Sequence, residues 1–414
     1  MLRSSGVLSA ADVSSTVMDN TYNATAITEG EEKWGWKIRY RDYQVSTLYL
    51  ESLRQEVDDL ADNCLLALRD RGISIEDFLS QLGPHYRPAD PVEYHNDERI
   101  QAFLEEVYRI PAYVDWQRLH HGQLTFLRNA GPAGFGLLYF SLIGGFSAPK
   151  IVKVLDATSY MTTQNCDATW RRLNETFEMV VDCIEDSECM KPGQNGWKSV
   201  LKVRFLHSRV RLGILSRGTW DAEALGLPIN QEDMVGTLLS FSVNVLETIQ
   251  RMTGRLTRVD EDAYLHLWRY IGYLIGIKED YNPCTTLEVA RGTTESIILH
   301  LLHPDKRSGE VARNVLRSVS GRKERIMNWS YAAHSEMARL LLGHPLADAL
   351  GLETSLRHRA YVYWVFGMMY VVSNVLGPWM GERGVAGVKR ALRKLVTTAL
   401  DNTRSQGHIR GHVA

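Results

Sequence analysis

Residues 203–211 read Val203-Arg204-Phe205-Leu206-His207-Ser208-Arg209-Val210-Arg211, inside a proline-free run over 198–215. Apolar residues recur along that run at Leu201, Phe205, Leu212 and Leu215. Steps of three, four and seven residues are a helical period. At about 100° per residue, Arg204 and Arg211 fall within about 20° of one another, and His207 lies about 60° from Arg204. The run is therefore a helix with an apolar face and, opposite it, a histidine flanked by two guanidiniums. A neutral imidazole is a common ligand of haem iron, and a guanidinium fork pairs well with a propionate. Taken alone, the spacing favours a solvated polar face.

The helix before it is predicted over 168–186. Leu173, Phe177, Val180, Val181 and Ile184 make its apolar stripe. A second stripe runs beside it through Arg172, Glu175, Thr176, Met179 and Cys183. Glu175 is the one acid in that stripe. A half-buried carboxylate there can act as a base or hydrogen-bond partner. The plainer reading is a surface pair of Arg172 with Glu175 at i, i+3, which contributes little. A linker around Gly193-Gln194-Asn195-Gly196 joins the two helices.

Helical patterns continue in both directions, over 117–128, 134–145, 231–252, 260–276, 287–303, 325–342, 355–376 and 386–402. Residues 48–68 read as one helical period and 100–110 as a short helix. Residues 83–91 are Gly/Pro punctuation. Gly226-Leu227-Pro228-Ile229-Asn230 is a turn ending in an N-cap, followed by Glu232 and Asp233 where acids favour the helix dipole, and Gly254 is a C-cap. Alternating strands are missing. The expectation is an all-α fold of packed helices: a weakly ordered tail over 1–35, then a single helical domain over 36–414.

Composition narrows the function. The 414 residues carry a formal net charge of -2 and are 44% apolar. No basic field exists to hold nucleic acid. Five cysteines without a CxxC pair speak against a disulfide framework or a zinc site. His120 and His121 are adjacent, hence about 100° apart on a helix, and are a poor metal pair. No secretory signal is visible, so an intracellular location is expected. An apolar stretch over 135–154 is broken by Gly144-Gly145, Ser147 and Pro149 and reads as buried helix plus turn. Another, over 360–377, is near the lower length limit for a span. A core helix is favoured there, with loose membrane association left open.

Six segments in order carry a resemblance. They are Val114-Asp115-Trp116, Leu142-Ile143-Gly144-Gly145-Phe146-Ser147-Ala148-Pro149, Arg172-Leu173-Asn174-Glu175-Thr176 and the 203–211 run. Gly226-Leu227-Pro228-Ile229-Asn230-Gln231-Glu232-Asp233 and Tyr264-Leu265-His266-Leu267-Trp268-Arg269 complete the set. Together they resemble the family of latex clearing proteins (rubber oxygenases) and MpaB-type haem oxygenases, in its fungal branch. The resemblance implies a globin-like helical core at about 95–290, with extra N- and C-terminal helices, binding haem b. It makes His207 the proximal iron ligand and Arg204 and Arg211 cofactor-binding residues of the same helix. It places Arg172, Glu175 and Thr176 on the distal, catalytic side.

The implied chemistry is dioxygen insertion across an isoprenoid C=C bond, giving two carbonyl ends. Rubber oxygenases carry a distal lysine where this chain has Glu175. A carboxylate cannot replace an ammonium donor. The difference points to a small apolar substrate, a terpenoid or meroterpenoid of secondary metabolism, in a pocket lined by Leu138, Phe140, Leu142 and Met179. Location would be cytoplasmic or at the endoplasmic reticulum. Two alternatives stay open: another oxidation or rearrangement at the haem, and a non-catalytic haem-binding protein.

Overall fold

Helices build nearly all of what the computed structural model describes, namely residues 32–84, 97–158, 165–322, 328–375 and 381–410. A small hairpin, β1 (Glu32–Lys33) on β2 (Trp36–Lys37), comes first. Then follow α1 (Thr47–Leu53), α2 (Asp59–Asp70), α3 (Ile75–Gln81), α4 (Glu98–Tyr108), α5 (Trp116–Arg128) and α6 (Ala130–Phe135). α6 runs into a π-helical segment, Gly136–Ile143. Next come α7 (Pro149–Thr158), α8 (Cys166–Cys183), α9 (Asn195–Leu215) and the single turn α10 (Ala222–Leu225). α11 (Gln231–Thr253), α12 (Arg258–Leu274), α13 (Leu287–Leu301) and α14 (Lys306–Val319) lead to α15 (Tyr331–Leu342), α16 (His344–Ala349), α17 (Leu356–Val375) and α18 (Glu382–Arg410). The fold is all-α, as the sequence implies.

Side-chain caps set most helix starts. Asp58, Asp97, Asp115, Asn165, Asn230, Thr286 and Ser330 each accept from a backbone N–H in the first turn of their helix. Thr257 and Asp260 form a reciprocal capping box on α12. Each cap satisfies donors that the helix itself leaves open.

Residues 48–68, which read as one helix, are two. The carbonyl of Arg54 accepts from Leu227 N–H at 2.8 Å and that of Glu56 from Gln231 N–H at 2.8 Å. Carbonyls turned toward another segment cannot continue a helical ladder, and Asp58 restarts it as a cap. α3, α7, the single turn α10, α14 and α16 were not expected. In α14 the signal existed: Val311, Val315, Leu316 and Val319 are buried at helical spacing. The helix expected over 325–342 starts at Tyr331, and residues 323–327 lie outside the described ones. So does most of the expected tail. Its last residues belong instead to the hairpin, where Trp34 Nε1 donates to the carbonyl of Leu302 at 2.9 Å. Trp36 Nε1 donates to that of Leu342 at 2.8 Å.

α11 is the central helix, packed on the π-helical segment, α12, α13 and α17. α5 lies tightly along α12, because a Cβ on Gly122 would stand 2.3 Å from the carbonyl oxygen of Ala263. One expectation fails clearly. α17, read as a core helix, buries only Val362 and Val365 and leaves most of its apolar side chains exposed. Its period supplies an inward stripe on α11 and α15, but among the described residues the rest of its surface has no neighbour to cover it.

Candidate functional site

The His207 helix, α9, is fastened to the start of α2 by two buried guanidinium–carboxylate forks. Arg204 donates from Nε to Asp58 Oδ2 at 2.6 Å and from Nη2 to Asp58 Oδ1 at 2.9 Å. Arg211 donates from Nε and Nη2 to the two oxygens of Asp62, at 2.8 and 2.7 Å. The two arginines are two helical turns apart on α9, and the two aspartates are one turn apart at the head of α2. Arg204 also reaches Glu106 at 2.8 Å and lies over the Phe103 ring. Arg211 Nη1 donates to the carbonyl of Ile229 at 2.9 Å. Gly276, at φ +95°, roofs the first fork: a Cβ there would stand 2.2 Å from Asp58 Oδ2.

These contacts give Arg204 and Arg211, expected as cofactor-binding residues, partners within the protein. Every guanidinium nitrogen of both residues has a protein acceptor, Nη1 of Arg204 through the carbonyl of Leu274 at 3.4 Å. Both side chains are sealed from solvent. Charges buried this way need carboxylates beside them, and Asp58 and Asp62 supply them.

His207, between the two arginines, is different. Its ring is partly buried, and Nδ1 is closed off from solvent without a hydrogen-bond partner. Burial, with the Arg211 charge adding to it and Asp58 opposing, pushes its pKa down to about 4. The imidazole is thus neutral near pH 7, the form that ligates iron. A buried, partnerless imidazole nitrogen is costly unless something takes it up. In donor type and protonation, His207 fits haem.

On α8, Arg172, Glu175 and Thr176 occupy one turn. Glu175 Oε2 accepts from Arg172 Nη1 at 2.7 Å, and Oε1 from Arg171 Nε at 2.8 Å. The Thr176 hydroxyl donates to the carbonyl of Arg172 at 3.1 Å. Both arginines are exposed and Glu175 is half-exposed. The surface pair read from spacing is present, doubled by Arg171. Ser199 Oγ donates to Asp182 Oδ2 at 2.5 Å and ties α9 to α8.

Leu138, Phe140 and Met179 are buried and Leu142 is half-buried. The first two and Leu142 sit on the π-helical segment. Such wide turns recur at functional sites. Three other histidines have protein partners. His266 Nε2 accepts from the Asp115 N–H at 3.0 Å, His120 pairs with Gln123 at 2.8 Å and His121 with Asp260 at 2.8 Å. Among the described residues, no cluster of three or more His, Cys, Asp or Glu side chains could hold a metal ion.

Sequence reasoning missed Asp58, Asp62 and Glu106, because the partner of a buried arginine lies on another helix. It also missed a buried relay at the head of α11. Arg54 bonds Glu232 at 2.9 Å and Asp233 at 3.0 Å. Glu232 bonds His300 at 2.7 Å, and His300 bonds Glu51 at 2.8 Å. Glu232 and Asp233, read as dipole residues, are ion-pair partners as well.

Residues 127–373, more than half of the chain, match the family described as "ER-bound oxygenase mpaB/B'/Rubber oxygenase, catalytic domain". A rubber oxygenase from Streptomyces sp. (strain K30) is 25% identical over 299 residues, 71% of this chain and 70% of that protein. The latex clearing protein LCP in its closed state shares the fold, with a TM-score of 0.59 at 18% identity over 83% of this chain and 91% of that one.

Proposed function

Because the chain belongs to the family of MpaB-type and rubber oxygenase catalytic domains, we propose that this oxygenase binds haem b through His207 and cleaves a C=C bond of an apolar isoprenoid. One observation carries the haem assignment: the neutral His207 ring, its Nδ1 buried without a partner, on a helix pinned on both sides. Haem, when bound, supplies the redox chemistry toward dioxygen. His207 offers it a nitrogen for which no proton competes near pH 7. The Arg204–Asp58 and Arg211–Asp62 forks hold that nitrogen in place without touching the ligand themselves.

On this reading the α8 turn forms the opposite wall. Glu175 accepts a hydrogen bond or proton from the substrate, held in orientation by Arg171 and Arg172. Thr176 and Arg172 supply donors. Leu138, Phe140, Leu142 and Met179 give an apolar lining that suits a hydrocarbon chain. A carboxylate in place of the rubber oxygenase lysine favours a terpenoid or meroterpenoid over polyisoprene.

The test is direct. Purified protein supplied with haem should show a Soret band at about one haem per chain, and His207→Ala should lose it while keeping its helical content. Incubation with isoprenoid alkenes under ¹⁸O₂ should give two carbonyl fragments, each labelled. A colourless protein, or a His207→Ala variant that keeps its haem, overturns the ligand assignment. Labelled hydroxylated or rearranged product without chain cleavage moves the chemistry to another oxidation.

A further inference from the structure

No described helix is long and apolar enough to cross a membrane, yet α17 carries an apolar face that no other described residue covers. Trp364, Met368, Val371 and Val375 follow at steps of four, three and four residues, so they share one stripe. Trp364 is 61% exposed and Val375 58%. Tyr363 and Tyr370 flank the stripe and are also more than half exposed. The opposite side holds Val362 and Val365, buried on α11 and α15. A contiguous patch of this kind on a folded protein marks a binding surface.

The chemistry of the patch selects its occupant. From Ala360 to Val375 there is no charged side chain. Guanidiniums stand at both ends instead: Arg357 exposed in the first turn, and Arg255 donating to the carbonyl of Ser373 in the last. Between 356 and 402 the chain carries seven basic residues (Arg357, Arg359, Arg383, Lys389, Arg390, Arg393, Lys394) against two acids (Glu382, Asp401). The chain as a whole is net -2, so this stretch of sequence is basic against an acidic remainder, although Arg359 is paired with Glu336 and Arg393 with Asp182 and Glu185. Tyrosine and tryptophan rings settle at the headgroup level of a bilayer, and arginines at the ends of an apolar helix reach out to phosphates.

We infer that α17 lies flat in the headgroup interface of an anionic lipid bilayer and docks the protein there as a peripheral enzyme. The arrangement is that of an interfacial helix, one face in the acyl boundary and the other on its own protein. It holds whether or not His207 ligates haem.

Flotation of the full chain with vesicles tests it. The protein should float with phosphatidylcholine vesicles containing phosphatidylglycerol, and less with phosphatidylcholine alone. Arg357→Gln should weaken binding about fivefold, the usual share of one basic residue at an anionic surface. The double variant Trp364→Ser with Met368→Ser should lose most of it at unchanged circular dichroism. Brominated lipids should quench part of the wild-type tryptophan fluorescence, and less of it in Trp364→Phe. Failure to float with anionic vesicles, or equal flotation and quenching of the variants, overturns the proposal. A concentration-dependent dimer that Trp364→Ser dissolves would also overturn it, giving the face to a second copy. Loss of haem in the His207 variant with flotation intact would leave this inference standing.

Discussion

Arg204 and Asp58 meet through two hydrogen bonds, 2.6 and 2.9 Å, in a region closed to water. That pair joins the α9 helix, which carries His207, to the cap of α2. Asp58 does two tasks at once, because its Oδ1 also accepts from the Ala61 N–H at 3.3 Å. Removing the carboxylate leaves a guanidinium in the interior with Glu106 as its remaining carboxylate partner. Asp58→Ala should therefore lower stability by about 3–5 kcal/mol, read by urea denaturation of the full chain. Asp58→Leu together with Arg204→Met should recover most of that loss, since an apolar pair leaves no charge uncompensated. A loss below about 1 kcal/mol for Asp58→Ala would show that Arg204 finds another anion, and would support a propionate role for it.

Gly276→Ala attacks the same fork from above. The residue sits at φ +95°, where a side chain is strained, and its Cβ would collide with Asp58 Oδ2 and stand 2.9 Å from Arg204 Nε. Strained backbone alone costs about 1–3 kcal/mol, and the displaced fork adds to it. Gly213→Ala on α9 is the control. There a Cβ meets nothing within 4 Å, and alanine in a helix interior should stabilise by about 0.5–1 kcal/mol. Opposite shifts in melting temperature are expected, and equal shifts would refute the roofing role.

Much of this was legible in the sequence. Periodicity and caps located α5, α8, α9, α11, α12 and α13 within about three residues, because those helices bury one face and start at an Asp, Asn or Thr or at a glycine-rich turn. The His207 helix was legible for the same reason. What a single helix cannot reveal is where its charged face goes. Arg204 and Arg211 were read toward a ligand, while Asp58 and Asp62, 142 to 153 positions away in sequence, were absorbed into one long helical period. α17 failed in the opposite sense: an apolar period predicts an apolar neighbour, and the described residues supply one on a single side only.

His266 should make the stability of the protein fall in mild acid. Its Nε2 accepts the Asp115 N–H that leads into α5, so the fold needs the neutral ring. Burial, with Arg118 nearby, lowers its pKa to about 4 from 6.5. The unfolded chain therefore takes up the proton first as pH falls. The contribution is complete above about 6.5 and is lost progressively down to about 4, on the order of 1 kcal/mol between pH 7 and 5. Asp233 works the other way, since burial raises its pKa to about 6 and favours the fold in acid. The comparison is thus with His266→Gln, whose amide oxygen can still accept from Asp115. The variant should show a flatter stability profile between pH 7 and 5. Parallel profiles would remove His266 from the account.

Glu175 separates catalysis from packing. Each of its carboxylate oxygens is held by an arginine, and all three side chains face solvent at least in part. Exposed pairs of this kind contribute about 0.2–1 kcal/mol. Glu175→Gln should therefore leave the melting temperature nearly unchanged, because one amide oxygen still accepts from either arginine. If Glu175 moves a proton for the reaction, the same change should lower turnover about 10²–10⁴-fold, with haem content and KM little altered. Glu175→Lys places three cations on one turn of α8, which repel. It should weaken stability slightly and shift the Soret band if this turn faces the haem. Full activity in Glu175→Gln, joined with an unshifted spectrum in Glu175→Lys, would make Glu175 a surface partner of Arg171 and Arg172. The opposite wall of the site would then have to be sought on the π-helical segment, around Leu138 and Leu142.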